Sequence, residues 1–104
     1  MKDESFKDFV LDQLNGLAGV DCRAMFGGYG LYRADVFFGI IHKSRLYFKT
    51  DSKTVLPYLE AGMKPFHPNA KQTLKSYYEV PVDVIEDSDQ LAAWAKKALQ
   101  CQKK

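Results

Sequence analysis

Cysteine and histidine are scarce in this sequence of 104 residues, which has two of each. Cys22 and Cys101 do not form a CxxC pair, and His42 and His67 do not form an HxxxH pair. We therefore expect no metal site and two free thiols, the usual state of cysteine in a reducing compartment. A Cys22 nucleophile assisted by a histidine is a further hypothesis, but no third residue that would orient the base is evident.

Long apolar runs are also absent. The opening residues, MKDESFKDFV, mix acids with lysines and contain neither an apolar run nor a small-residue cleavage site, so they do not resemble a secretory signal. No segment has the roughly 20 apolar residues that cross a bilayer as a helix. We expect a cytoplasmic protein without a membrane anchor.

The sequence has no strong excess of charge of either sign. Its 15 basic and 13 acidic side chains leave a formal net charge of +2, far from the basic composition of dedicated nucleic-acid-binding domains. Apolar residues make up 46% of the chain and aromatic residues 13%, enough to bury a core without a metal or a disulfide. We expect residues 1–104 to form one domain.

Hydrophobic spacing predicts an alternation of helices and strands in this domain. Helices are predicted at residues 6–17, at residues 55–59 and after Ser88, which is the predicted N-cap of the last helix. Five strands are predicted, in YGLYRA, VFFGIIH, RLYFKT, MKPFHPNAK and TLKSYYEV. The order α-β-β-β-α-β-β-α predicts an α+β domain whose helices cover one face of an antiparallel sheet.

The stretch from Arg23 to Arg33, RAMFGGYGLYR, contains three glycines among aromatic residues. A phosphate-binding loop needs glycines at a fixed spacing before a helix, with a following Gly-Lys-Ser/Thr in one common pattern. Gly27, Gly28 and Gly30 fit neither pattern. After Gly28 and Gly30 the dinucleotide-binding pattern requires glycine or alanine at position 33, which is arginine, and no Gly-Lys-Ser/Thr sequence occurs. We interpret the stretch as a corner of the sheet, where glycine permits a bend or close backbone packing.

A series of segments then follows one order along nearly the whole chain. These are Arg23 with MFGG at 25–28, Gly30, Tyr32, FFGII at 37–41, LYFK at 46–49, GMKPF at 62–66, SYYEVP at 76–81, and Leu91 with Trp94. Together they resemble the TfoX N-terminal domain of the bacterial Sxy/TfoX competence regulators. The resemblance implies the same element order, a cytoplasmic protein and no established catalytic activity. Competence regulators of this family carry a second, C-terminal helical domain, whereas this sequence spans the first.

The resemblance favours a non-enzymatic regulatory domain that acts through protein contacts affecting transcription and uses no cofactor. Its candidate partner-binding residues are those of the glycine stretch: Arg23, Met25, Phe26, Gly27, Gly28, Gly30, Tyr32 and Arg33. Arg23 either binds the partner, with the transcription machinery as one candidate, or anchors the sheet. An anchoring role predicts a buried pair with an acid such as Asp51 or Glu79.

Direct nucleic-acid binding is the alternative function. Four basic residues stand in or beside a predicted hairpin: Lys43, Arg45, Lys49 and Lys53. They could contact phosphates while Tyr29, Tyr32 and Tyr47 stack on bases. The opposing interpretation places the basic side chains on a solvated sheet face and the tyrosines in the core, and the near-neutral total charge favours it.

Adjacent aromatic residues in the predicted strands also indicate an interface. Because side chains alternate along a strand, one of Phe37 and Phe38 and one of Tyr77 and Tyr78 must face away from the helices. Together with Phe66 they predict an uncovered aromatic surface, a feature that commonly marks a protein interface. We expect a homodimer through this surface.

Overall fold

A computed structural model describes residues 3–25, 27–69 and 72–101 of the chain. Within these residues the elements are, in chain order, α1 (Asp3–Gln13), β1 (Val20–Met25), β2 (Gly28–Arg33), β3 (Val36–His42), β4 (Arg45–Lys49), α2 (Leu56–Glu60), β5 (Pro65–Asn69), β6 (Gln72–Glu79), α3 (Val82–Ile85) and α4 (Ser88–Gln100). The strands form one sheet in the order β1-β2-β3-β4-β6-β5, and every neighbouring pair is antiparallel.

The predicted α+β class and element order are confirmed. Within that order the structure adds two elements, β1 before the three strands predicted there and the short α3 before the last helix. None of the described helices has the length and apolarity that a membrane span requires. The four strands β1 to β4 form a meander of hairpins, and the glycine stretch supplies the first hairpin, with Met25 paired to Gly28 across its turn.

The helices pack on one face of the sheet, as predicted. Buried side chains from the helices meet buried side chains from the strands in one continuous core, which includes Val10, Leu14, Leu31, Phe38, Leu46, Phe48, Tyr58, Leu91 and Ala95. In β4 Leu46 and Phe48 belong to this core, whereas Tyr47 faces the other side of the sheet. The strands therefore divide their side chains between a helix-covered face and a helix-free face, by regular alternation in β4 and with an irregularity in β3, where Phe37 and Ile40 share the helix-free face.

The helix-free face has its own small core. Ile40, Tyr47, Phe66 and Tyr77 are buried there, and Phe37 and Leu74 pack against them. The Phe66 ring centre lies 4.7 Å from that of Tyr47 and 5.3 Å from that of His42. In a flat sheet β5 and β3 would be about 14 Å apart, because three strand spacings separate them. The β5–β6 hairpin therefore curls over the helix-free face.

A bulge in β6 accompanies this curl. Pro65 pairs with Tyr78, but the next residue, Phe66, pairs with Leu74. Residues 75–77 of β6 therefore have no partner on β5, and this bulge bends the hairpin. Phe37 and Tyr77 are the members of the two aromatic pairs that face the helix-free side. The prediction of an uncovered aromatic surface is wrong in one respect, because Phe66 is 0% and Tyr77 7% exposed. The homodimer itself stays a prediction.

Two helix starts follow sequence signals, with one correction. Helix α2 has Pro57 in its first turn, as predicted, and Gly62 follows it with a φ of 76°. Asp87 caps α4 by accepting hydrogen bonds from the backbone N–H groups of Asp89 and Gln90. The predicted N-cap, Ser88, is instead the first helical residue. The carboxylate at position 87 satisfies the free N–H groups of the first turn.

Candidate functional site

Arg23 is held on the helix-free face at the edge of the sheet. It pairs across the first hairpin with Gly30, and the Met25, Phe37 and Tyr32 side chains fill the place of the missing Gly30 side chain. The Arg23 Nη2 atom lies 3.0 Å from the Asp35 Oδ1 atom, and the guanidinium carbon lies 4.3 Å from the centre of the Tyr32 ring. The side chains of Arg23 and Asp35 are 53% and 90% exposed. Arg23 thus combines an ion pair with an aromatic stack at the solvent boundary.

The predicted buried pair of Arg23 with Asp51 or Glu79 is therefore wrong. Glu79 pairs with Arg45, with a distance of 3.1 Å between Oε1 and Nη1. Asp51 accepts hydrogen bonds from the backbone N–H groups of Thr54 and Lys53, which hold the pKa of its carboxyl below the ordinary value. Arg23 has an exposed partner instead of a buried one, which suits a contact surface better than an anchor.

An aromatic row continues from Tyr32 across the helix-free face. The Tyr32 and Phe37 ring centres are 5.1 Å apart, and those of Phe37 and Tyr77 are 5.4 Å apart. At the far end of the row the Lys49 Nζ atom lies 5.4 Å from the centre of the Tyr77 ring. A cation stands at each end of three ring systems in contact, an arrangement favoured by the negative faces of the rings.

The glycines of the first hairpin serve packing and turning. A Cβ atom at Gly28 would collide with the backbone carbonyl of Ile41, and one at Gly30 would collide with the Met25 Sδ atom and lie 3.0 Å from the Phe37 ring. Gly27 has a φ of 75° in the turn, which glycine adopts without steric cost. The close packing and the special backbone conformation expected of these glycines agree with the structure, but the stretch forms a hairpin and not a corner of the sheet. Phe26, the remaining predicted residue of the turn, lies outside the described residues.

Asp35 is the residue of this site that sequence reasoning missed. It follows Ala34 in the turn between β2 and β3, and both residues have positive φ angles, 52° and 65°, as in the two-residue turns that match strand twist. The turn directs the Asp35 carboxylate back toward Arg23 on β1. The sequence signal was an Ala-Asp pair between two predicted strands, because aspartate tolerates this conformation better than most residues.

Arg33 belongs to the other face of the sheet. Its Nε atom donates a 2.7 Å hydrogen bond to the carbonyl oxygen of Ala18, in the loop between α1 and β1. The structure thus separates the two arginines of the predicted set. Arg23, Met25, Tyr32, Asp35 and Phe37, which lie together on the helix-free face, are called the Arg23 surface below.

A comparison of the sequence with protein-family models shows to which family the chain belongs. The model of the TfoX N-terminal domain matches residues 12–102. The chain belongs to the TfoX N-terminal domain family. No curated protein matches the sequence significantly. Family membership makes this TfoX N-terminal domain competence-regulator-like, and its match covers every strand of the sheet and therefore the whole Arg23 surface.

The four basic residues proposed for nucleic acid lie in β4 and beyond both of its ends in this TfoX N-terminal domain. Lys43 and Arg45 lie at one end of β4, whereas Lys49 and Lys53 lie at the other end, about 13 Å away at the rise of a strand. Arg45 is paired with Glu79. The Lys49 Nζ atom donates a 3.1 Å hydrogen bond to Ser76 Oγ and is half-buried. Direct nucleic-acid binding through these four residues stays a prediction, with Arg45 and Lys49 already engaged in contacts within the domain.

The thiols and imidazoles are also kept apart. Cys22 is on β1 and packs against the helix-side core, whereas His42 stacks on Phe66 on the helix-free face. His67 lies on β5, at the opposite edge of the sheet, with its Nδ1 atom 2.9 Å from Thr73 Oγ1. The structure thus does not assemble the hypothetical Cys22 and histidine pair. Among the described residues, no group of His, Cys, Asp and Glu side chains could hold a metal ion.

Cys101 has a structural environment. Its Sγ atom lies 3.3 Å from the Lys97 carbonyl oxygen and 3.5 Å from Thr54 Oγ1. Burial raises the pKa of this thiol above its ordinary value, so the thiolate is disfavoured at neutral pH. Both cysteines are free. Cys101 therefore packs the end of α4 against the segment before α2 and has the properties of an unreactive thiol.

Proposed function

We propose that this TfoX N-terminal domain is a non-enzymatic regulatory module that affects transcription by binding a protein partner through the Arg23 surface. The observation that carries the proposal is the Arg23 guanidinium stacked on Tyr32 while about half of its side chain is exposed. Arginine and tyrosine are the residue types that most often dominate binding energy at protein interfaces. Free thiols and the family relationship favour action in the cytoplasm, as for the competence regulators.

The chemistry of the Arg23 surface also defines the kind of partner. Only one guanidinium nitrogen of Arg23, Nη2, is engaged by Asp35, and a guanidinium has five N–H donors. An acidic side chain of the partner can therefore take the remaining donors while its apolar neighbours cover Tyr32 and Met25. Since Tyr32 already fixes the plane of the guanidinium, less side-chain entropy is lost when the partner binds.

An affinity purification with purified, tagged protein tests the proposal. The wild type and three variants, Arg23→Ala, Tyr32→Ala and Arg45→Ala, are incubated with cell lysate with and without nuclease. Captured proteins are identified by mass spectrometry, purified and titrated against each variant by calorimetry. Arg45 is the matched control, because it is also an exposed arginine on the sheet with one ion pair of 3.1 Å.

We expect a nuclease-resistant partner whose dissociation constant rises at least about tenfold with Arg23→Ala or Tyr32→Ala. Arg45→Ala is expected to change it by less than about threefold, since that ion pair lies outside the surface. Circular dichroism checks that each variant is folded. Capture that disappears with nuclease, together with loss on Arg45→Ala, would instead support direct nucleic-acid binding. A partner that binds Arg23→Ala as tightly as the wild type would refute the role of the Arg23 surface.

A further inference from the structure

The two edges of the sheet differ in how they are protected. The outer strand at one edge, β5, contains Pro65 and Pro68, and proline blocks the addition of a further strand. The outer strand at the other edge, β1, has the sequence VDCRAM and no proline. Asp21, Arg23 and Ala24 on β1 are exposed, and within the described part of the chain β1 has β2 as its one neighbour.

The backbone of β1 presents hydrogen-bonding groups at this edge. The Cys22 N–H group donates a 2.9 Å hydrogen bond to the Asp21 Oδ1 atom of the same strand, so it points away from β2. Hydrogen-bonding directions alternate along an antiparallel strand. Val20 and Ala24, two residues from Cys22, therefore also point their N–H and C=O groups away from β2. The Asp21 carboxylate therefore occupies one N–H group of this edge, and a second strand must displace it in order to pair there.

The charges on β1 are self-complementary in one antiparallel register. Asp21 and Arg23 lie on the same side of the strand, separated by Cys22. If Cys22 pairs with Cys22 of a second copy, Asp21 of each copy stands opposite Arg23 of the other. A shift of the pairing centre by one residue in either direction places Asp21 opposite Asp21 or Arg23 opposite Arg23, and like charges directly opposite are destabilising.

We propose that two copies of this domain associate through antiparallel pairing of their β1 strands, with Cys22 of one copy opposite Cys22 of the other. This register makes hydrogen-bonded pairs of the three residues that point outward: Val20, Cys22 and Ala24. Asp21 and Arg23 then form the closer, non-hydrogen-bonded pairs, in which side chains approach most. The arrangement is two-fold symmetric, so the Asp21–Arg23 contact is made twice.

The rearrangement needed for this association is small. Asp21 releases the Cys22 N–H group to the second copy and turns its carboxylate to the second copy's Arg23, while Arg23 keeps its Nη2 contact with Asp35 and uses other donors. The curled β5–β6 hairpin already covers much of the helix-free face, so the edge offers the better dimer surface. This inference does not rest on the proposed function, because association is measured on the purified protein alone.

The first test is sedimentation equilibrium over a range of protein concentrations. A pair of short strands is a small interface, so we expect a dissociation constant on the order of 100 µM that increases with salt. Asp21→Arg and Arg23→Asp should each raise it at least about tenfold, because each places like charges opposite. The double variant Asp21→Arg/Arg23→Asp should return it to within about threefold of the wild type, since exchanging the charges restores both pairs.

The second test uses the thiols as reporters of register. In a hydrogen-bonded antiparallel pair the two Cα atoms are about 5.5 Å apart, so a short bismaleimide should link Cys22 of the two copies. Cys101→Ser should retain the crosslinked dimer and Cys22→Ser should abolish it. Ala24→Pro should also abolish it, because proline removes an outward N–H group that β2 does not use.

Three results would overturn the proposal. The first is a wild-type protein that remains monomeric up to about 1 mM, which is well above the expected dissociation constant. The second is a dimer that neither single charge reversal weakens. The third is a crosslink that persists in Cys22→Ser. Each can occur with or without partner capture by the Arg23 surface, so failure of this proposal is distinguishable from failure of the proposed function.

Discussion

Among single residues, Arg23 is expected to contribute little to the stability of the fold and much to binding. Its ion pair with Asp35 joins two exposed side chains, and such pairs typically contribute about 1 kcal/mol or less to the free energy of unfolding. At an interface the same guanidinium, oriented by Tyr32, can become fully desolvated and contribute far more. Replacement of Arg23 should therefore leave a folded protein, which makes a loss of binding interpretable.

The glycines of the first hairpin provide a prediction about stability. Gly28→Ala should lower the free energy of unfolding by about 3 kcal/mol or more, because the new methyl group meets the Ile41 backbone, which cannot move without breaking the ladder. Gly30→Ala should cost less, about 1–2 kcal/mol, because the Met25 side chain can rotate away. Urea denaturation followed by circular dichroism measures both.

Gly16→Ala is the control for these two variants. No atom lies within 4 Å of a Cβ at this position, and its φ is not in the left-handed region, so the substitution should be neutral or slightly stabilising. If Gly28→Ala were as stable as Gly16→Ala, close packing between β2 and β3 would not be the reason for glycine at position 28.

At the level of elements, periodicity predicted the helices and strands that carry large apolar stripes. Strand β1 was not predicted separately, because VDCRAM alternates two charged residues with small ones and lies at the edge of the sheet. Helix α3 has only four residues, which is too short for a helical period to be recognised. The predicted N-cap of α4, Ser88, lies one residue after the observed one, Asp87, because both are good capping residues.

The candidate site was predictable only in part for a related reason. Family resemblance selected Arg23 and Tyr32. Which acid forms the ion pair with Arg23 depends on the register of two hairpins, which the sequence alone does not determine. The turn at Ala34 and Asp35 pairs Arg33 with Val36 and Tyr32 with Phe37, and the register of β2 and β3 shifts beyond Tyr32, where Leu31 pairs with Gly39. The curl of β5–β6 over the helix-free face depends on a bulge at residues 75–77, and alternation along β6 alone predicted a regular strand.

The cap of α4 gives a prediction about pH. The Gln90 side chain, its backbone N–H group and that of Asp89 donate hydrogen bonds to Asp87, and they lower the pKa of its carboxyl below the ordinary value of 3.8. The stabilisation is therefore fully present above pH 3.8 and is lost as the pH falls through the lower folded-state pKa. Asp87→Asn keeps a capping oxygen but removes this titration.

Urea midpoints of the wild type and Asp87→Asn should therefore converge, or cross, as the pH falls from about 6 to about 2. Asp87→Ala, which cannot cap, should have a lower midpoint than the wild type at about pH 6. A constant difference between the wild type and Asp87→Asn over the whole pH range would show that the carboxylate charge does not stabilise the helix.

At the scale of the whole molecule, the sheet separates two cores of unequal size. The larger core is built by strands together with helices from both ends of the chain, whereas the smaller one on the helix-free face is built by strands alone. Phe66 connects the β5–β6 hairpin to this smaller core through Tyr47 and His42. Closure of the smaller core keeps its apolar surface from water and leaves the Arg23 surface and the β1 edge for contacts.

Phe66→Ala tests whether this closure stabilises the domain. Phe66 is 0% exposed, and truncating a fully buried phenylalanine costs about 3–5 kcal/mol, a large share of the roughly 5–15 kcal/mol that stabilises a small domain. We also expect the variant to expose Tyr47 and Tyr77, so that it binds the dye ANS under conditions where the wild type does not. Urea denaturation and dye fluorescence measure the two effects.

Phe9 provides the matched control, because it is a phenylalanine of α1 that is 43% exposed. Phe9→Ala should lower the free energy of unfolding by about 1 kcal/mol, since less apolar area returns to water, and it should not increase dye binding. Equal losses for Phe66→Ala and Phe9→Ala would contradict a closed second core. The helix-free face would then be open in solution, and the aromatic row beside Arg23 would become a competitor of the β1 edge as the surface for self-association.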